Sequence, residues 1–161
     1  MIEASELIFH EVDQETLEAM GASLATVLQP GDVLCLTGDL GAGKTTFSQS
    51  LLKALGVLDH VTSPTYTLMN LYQVREQAIW HMDAYRIRDP EELHELGFYD
   101  VLHTEAILLI EWADVIREAI PDTALWMELH YASHGRKVII SGHVDKVKAM
   151  EEVLKHVYPS T

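Results

Sequence analysis

The chain carries Gly38-Asp39-Leu40-Gly41-Ala42-Gly43-Lys44-Thr45, a run with the spacing G-x-x-x-x-G-K-[ST]. Each fixed position has a mechanical reason. Gly38, Gly41 and Gly43 can take backbone angles closed to other residues, so the run can curl around an anion. Its backbone N–H groups then point inward as a nest. Lys44 is placed to reach the outer phosphates of a nucleotide, and the Thr45 hydroxyl to ligate Mg²⁺. The flanks agree. Val33-Leu34-Cys35-Leu36-Thr37 reads as a short buried strand, and Thr45 to Leu55 as a helix that Gly56 ends. Strand, glycine-rich loop and helix in that order form the context a phosphate-binding loop requires.

On either side of this unit the periodicity continues an α/β pattern. Residues 6–10 predict a first strand. Asp13 to Gln29 predicts a helix, with Leu17, Met20, Leu24, Val27 and Leu28 on one face, and Pro30-Gly31 a turn. Residues 66–73 and 78–85 alternate like strands and flank Arg75-Glu76-Gln77, a hairpin pattern. Asp89-Pro90-Glu91-Glu92 is a helix start: Asp caps, Pro suits the first turn and Glu92 stands at the capping-box position. That helix is expected to reach about Gly97. The unbroken apolar run Ala106 to Ile110 predicts a strand covered on both faces. A helix over Ala113 to Ile120 should stop at Pro121. Leu125, Met127, Leu129 and Tyr131 alternate with Trp126, Glu128 and His130, Val138 and Ile140 alternate with Ile139 and Ser141, and His134-Gly135 joins them as a second hairpin. A closing helix over residues 144–157 faces inward through Val147, Met150, Val153, Leu154 and Val157. The expected fold is one α/β domain over residues 1–161. Its class is a P-loop NTPase-like three-layer arrangement, with a mixed, centrally parallel sheet and antiparallel hairpin additions.

Three further places bear on chemistry. Glu111 directly follows the apolar strand, where ligands of open α/β sheets gather. Asp is the more usual carboxylate there, and the longer Glu could ligate a metal or orient an attacking water. Trp112 beside it either shields the site or packs in the core. His81, Asp83 and Tyr85 alternate on one strand face. A buried Asp83 needs a partner, so it is either a base or metal neighbour, or part of a structural hydrogen-bond cluster. Arg86 either stabilises phosphate charge or pairs with a carboxylate. Thr62-Ser63-Pro64-Thr65 falls where a switch loop would sense the outer phosphate.

Composition narrows the partners. The chain has 11 Lys and Arg against 25 Asp and Glu, a net charge of −14, which disfavours direct binding to tRNA or DNA. An acidic face that docks on a basic protein stays open. The single cysteine, Cys35, lies in an apolar strand and points to packing in a reducing compartment. The acidic N-terminus does not resemble a signal peptide, and no stretch has the length of a membrane span. A cytoplasmic protein is expected. The histidines show no zinc-type spacing.

GDLGAGKTT at 38–46, SPTYTL at 63–68, HMDAYR at 81–86, DPEELHELGFYD at 89–100 and IEW at 110–112 occur in this order. Together they resemble the bacterial TsaE (YjeE) family of P-loop ATPases. The resemblance implies a role in making N6-threonylcarbamoyladenosine (t6A) beside the tRNA anticodon. In that family the protein binds the TsaD–TsaB pair and hydrolyses ATP to reset it, so tRNA is met only through partners. The implied cofactors are ATP or ADP and Mg²⁺. Asp39, Leu40, Gly41, Ala42, Gly43, Lys44, Thr45 and Thr46 would hold the phosphates, and Thr45 and Glu111 the metal. Asp83 would be the catalytic carboxylate, with Lys44 and Glu111 also in the catalytic set, and Trp112 would lie near the nucleotide. Thr65 would belong to the switch-like loop and Arg136 would border the adenosine. The resemblance implies slow hydrolysis alone and faster hydrolysis with partners. It leaves the general base open between Asp83 and Glu111.

Two other functions compete. A small-molecule P-loop kinase usually needs a lid with several arginines, and residues 87–120 offer only Arg88 and Arg117. A nucleotide-dependent assembly factor with incidental hydrolysis is the other. A GTPase is disfavoured, because no N/T-K-x-D element is present to read guanine.

Overall fold

A computed structural model describes residues 3–58 and 69–158. Its centre is a sheet of seven strands. In chain order these are β1 (Ala4–Val12), β2 (Val33–Gly38), β3 (Met69–Val74), β4 (Gln77–Asp83), β5 (Ile107–Glu111), β6 (Leu125–Tyr131) and β7 (Arg136–His143). Their order across the sheet is β1-β7-β6-β2-β5-β4-β3. The central four, β6, β2, β5 and β4, run parallel, and β1, β7 and β3 add antiparallel. The expected mixed, centrally parallel sheet with two antiparallel hairpins is the one observed.

The apolar runs explain why the centre is covered on both sides. Side chains alternate across a strand, so a continuous run such as Val33-Leu34-Cys35-Leu36 feeds two cores. Leu34 and Leu36 join Ile107, Leu109, Met127 and Leu129 on one face. That face is covered by helices α1 (Gln14–Ala25), α2 (Lys44–Ala54) and α5 (Val144–Leu154), through Leu17, Met20, Phe47, Leu51, Met150 and Leu154. Val33, Cys35, Leu108 and Ile110 face the other way. They pack under helices α3 (Glu91–Leu96) and α4 (Phe98–Leu102) and a 3-10 helix over Ala113–Ala119, through Leu93, Phe98, Ala113 and Ile116. Helix, sheet and helix make three layers. Burial pushes the Cys35 thiol far up, so this cysteine serves packing rather than reactivity.

Several boundaries differ from expectation for local reasons. The first helix stops at Ala25 rather than Gln29. Thr26 donates its hydroxyl to Ser23 O, and the N–H of Gln29 is taken by the Asp32 carboxylate at 2.8 Å, so the chain turns early while Leu28 stays buried. The strand expected over 78–85 ends at Asp83, which leaves Tyr85 beyond the sheet and exposed. Of the strand expected over 66–73, residues 66–68 lie outside the described residues, as does the Thr62–Thr65 switch proposal. The helix expected over Ala113 to Ile120 is a 3-10 helix, kinked at Ile116. Trp112 enters it in the left-handed region at φ 58, with no side chain capping it, so it begins as tight turns. The closing helix ends at Leu154, and Val157 still packs on the core beyond it.

Helix α3 begins as its sequence dictates. The Asp89 carboxylate accepts from the N–H of Glu91 at 3.0 Å, which is the capping expected of Asp89.

Candidate active site

Three parallel strands end at one corner. β2 leads into the glycine-rich loop, β4 ends on Asp83 and β5 ends on Glu111. The register sets Asp83 directly beside Glu111 and Glu111 beside Leu36. Loop and carboxylates therefore share the carboxyl edge of the sheet, where open α/β sheets bind ligands.

Packing fixes the loop's path. Gly38 has φ +129, and a Cβ there would lie 1.9 Å from Leu129 O on the neighbouring strand. Gly43 has φ +114, and a Cβ would meet Leu17 Cδ2 at 2.6 Å. Only glycine fits either place. The second hairpin then grips the loop from behind. The Tyr131 hydroxyl donates to Leu40 O at 3.0 Å, and Arg136 Nε donates to Ala42 O. The Tyr131 N–H donates to the Asp39 carboxylate at 2.8 Å. In a planar trans peptide the N–H points opposite to the C=O. With the carbonyls of Leu40 and Ala42 turned to the hairpin, the N–H groups of Gly41 and Gly43 face away from it. Hydrogen bonding to the Tyr131 N–H, ahead of the His130 and Lys44 charges, holds the Asp39 carboxyl below the usual carboxylate range.

Lys44 opens α2 with its side chain buried. Its Nζ donates to Gly38 O at 3.0 Å and to Asp39 O at 2.7 Å, and lies 4.1 Å from the centre of the Trp112 ring. Desolvation lowers its pKa, against the pull of Glu111, Asp114, Asp39 and Asp83. The next residue reaches across the corner: Thr45 Oγ1 donates to Glu111 Oε1 at 3.1 Å. The other oxygen of Glu111 is 2.5 Å from His81 Nε2. Glu111 is 2% exposed, so it is not a solvated strand-end carboxylate. Asp83 is also buried and accepts the N–H of Tyr85 at 2.9 Å.

Lys44, Thr45, Asp83 and Glu111 line a cleft of about 380 Å³ together with Leu40, Gly41, Gly43, Thr46, Tyr85, Arg86 and Trp112. Trp112 faces this cleft rather than the core, and its ring meets that of Tyr85 at 4.8 Å. Arg136 sits behind the loop, also donating toward Val12 O at 3.4 Å. A larger hollow of about 670 Å³ lies between α3 and the 3-10 helix, lined by Arg88, Leu93, Tyr99 and Arg117 among others. None of the loop residues lines it, so chemistry and not size selects the smaller cleft.

The corner suits a hard divalent cation. Thr45 and Glu111 offer hydroxyl and carboxylate oxygens side by side, the donor type that Mg²⁺ takes from a protein when substrate phosphates complete its shell. Two features were missed in the sequence: the bond between His81 and Glu111, and the bracing of the loop by Tyr131. The first had a signal, since His81 and Asp83 alternate on one face beside a strand that ends in Glu. The second had none, because pairing of β6 with β2 is a property of the whole sheet.

Comparison with known proteins shows what the whole chain is similar to. A family model described as threonylcarbamoyl adenosine biosynthesis protein TsaE matches residues 12–138. A Bacillus subtilis protein described as tRNA threonylcarbamoyladenosine biosynthesis protein TsaE is 35% identical over 153 residues, covering 94% of this chain and 96% of its own. A Haemophilus influenzae protein of the same description is 34% identical over 131 residues, covering 78% and 83%. The crystal structure of Bacillus subtilis YdiB superposes with a TM-score of 0.75 at 29% identity, over 97% of each chain.

Proposed function

We infer the function from one premise: this chain belongs to the TsaE family. The protein takes part in the synthesis of t6A in tRNA as a Mg²⁺-dependent ATPase. It acts on the TsaD–TsaB pair to support that pair's turnover, and meets tRNA only through it. The observation that carries this reading is the Thr45 hydroxyl set 3.1 Å from Glu111 Oε1 beside Lys44, at the mouth of the glycine-rich loop.

ATP is the substrate. Leu40, Gly41, Gly43 and Thr46 line the cleft and cradle its phosphates through backbone N–H groups, whereas the N–H of Asp39 is donated to Leu129 O and that of Ala42 to Asp39 O, so these two shape the loop rather than hold phosphate. Lys44 exchanges its two carbonyl partners for phosphate oxygens, which are stronger acceptors. Thr45 and Glu111 hold Mg²⁺. When bound, that ion neutralises charge on the phosphates and helps align the outer one. With Glu111 assigned to the metal, Asp83, which lines the same cleft beside Glu111 in the register, is assigned to orient the attacking water. Water adds to the γ-phosphorus as the bond to the bridging oxygen breaks, leaving ADP and phosphate. Trp112 and Tyr85 screen the cleft from solvent.

The charge of −14 supports a protein partner over direct contact with tRNA. A kinase reading gains nothing from Arg117, whose guanidinium stacks on Trp126 at 4.2 Å rather than lining the cleft. No helix among the described residues is long and apolar enough to cross a membrane. The test is ATP turnover by the isolated chain and again with TsaD–TsaB. The expected result is slow turnover alone and a clear rise with the pair. Fast turnover that ignores the pair would contradict the reading.

A further inference from the structure

His81 sits on β4, fully buried, two residues before Asp83. Histidine is expensive to bury unless its ring nitrogens have work to do. One does: Nε2 lies 2.5 Å from Glu111 Oε2. A carboxylate oxygen only accepts, so Nε2 carries the hydrogen and donates it. The other nitrogen, Nδ1, has no hydrogen-bond partner among the described residues. Among the described residues, the ring's polar contact is therefore the one to Glu111. Packing completes the lock. β4 is clamped between β3 and β5, with His81 beside Leu109 and opposite Asn70 in the register. The imidazole cannot swing away without opening the sheet.

Glu111 is thus fixed from both sides. Thr45 holds Oε1 and His81 holds Oε2, so the carboxylate plane is set before any ligand arrives. Glutamate has one more rotatable bond than the aspartate more usual at this position. That freedom must be removed if the carboxylate is to act as a metal ligand, and the buried imidazole removes it. We propose that His81 is the positioning residue that sets Glu111 for Mg²⁺, an inference that rests on the nucleotide site proposed above. It acts through Glu111 and touches neither substrate nor metal itself.

The test uses the full chain and a fluorescent N-methylanthraniloyl ADP probe. Probe affinity is measured in EDTA and then across a Mg²⁺ titration, for wild type, His81→Leu and His81→Gln. Leu fills the buried volume without a donor. Gln carries an amide N–H with a reach close to that of Nε2. In His81→Leu the Mg²⁺ concentration needed for tight binding should rise by roughly 10–100-fold, while affinity in EDTA stays as in wild type. His81→Gln should restore the wild-type Mg²⁺ requirement. An unchanged requirement in His81→Leu would overturn the proposal. So would an equal loss of affinity with and without Mg²⁺, which a merely structural role would give. If His81→Leu does not fold, His81→Gln decides alone: a wild-type requirement supports the proposal and a raised one defeats it. Wild-type binding that ignores Mg²⁺ would be a different failure, of the nucleotide reading and of this inference with it.

Discussion

Lys44 and Glu111 show how little of this site is held by single contacts. The ammonium of Lys44 is desolvated, and its two carbonyl bonds and the Trp112 face compensate for the water it has lost. Those partners are neutral, so phosphate oxygens can displace them without leaving a buried charge unpaired. Glu111 is different, because its partners are a hydroxyl and an imidazole that stay put. If Glu111 ligates Mg²⁺ as proposed, removing its carboxylate removes the protein charge on that ion while leaving the loop's own hydrogen bonds intact. Glu111→Ala should therefore lower ATP turnover far more than it lowers ATP affinity. A lost metal contact is worth several kcal/mol in the transition state, so turnover should fall at least about a hundredfold. Turnover and equilibrium binding measured on the same preparation check this, and wild-type turnover would make Glu111 a bystander.

At the scale of elements, capping and alternation account for most of what the sequence could tell. The stretch Asp13 to Ala25 is helical because Asp13 accepts the N–H of Thr16 at 2.7 Å and because Leu17, Met20 and Leu24 recur on one face. Hydrogen bonds donated by Thr16, first from its hydroxyl and then from its backbone N–H, lower the Asp13 pKa from 3.8. The sign follows. A carboxylate with a lowered folded pKa stabilises fully above the unfolded value, and that stabilisation fades as pH falls through the folded one. Asp13→Ala should melt below wild type at pH 7, and the gap should narrow as pH drops below 3.8. Thermal melts across that range check it, and a gap independent of pH would contradict the cap's charge dependence. The strands β2 and β5 were equally legible, since unbroken apolar runs have one economical solution in a parallel sheet. The 3-10 geometry after Trp112 was not, because a left-handed entry residue leaves no trace in hydrophobic period. Nor was the end of β4 at Asp83, where Tyr85 looked like one more alternating residue. In the site, the glycine-rich loop was readable from spacing alone. The bracing of that loop by Tyr131 and Arg136 came only with the sheet order that brings β6 and β7 beside it.

Across the whole molecule, the fold gathers its candidate chemistry at one edge of the sheet, in a chain whose net charge is −14. Such a body is poorly suited to gripping nucleic acid and well suited to cycling on a basic protein partner. The parts of the proposed ATP site come from distant stretches of chain: the loop from β2, Asp83 from β4, Glu111 from β5 and the braces from β6 and β7. One reconstitution tests the proposed function most directly. TsaD–TsaB, tRNA, the threonylcarbamoyl donor and Mg²⁺-ATP are combined with wild type or with Lys44→Ala, and modified tRNA is counted per TsaD–TsaB complex. Wild type should sustain many rounds, and Lys44→Ala should stop near a single round. Equal, sustained modification by the two would contradict the claim that ATP held in this loop drives the protein's function.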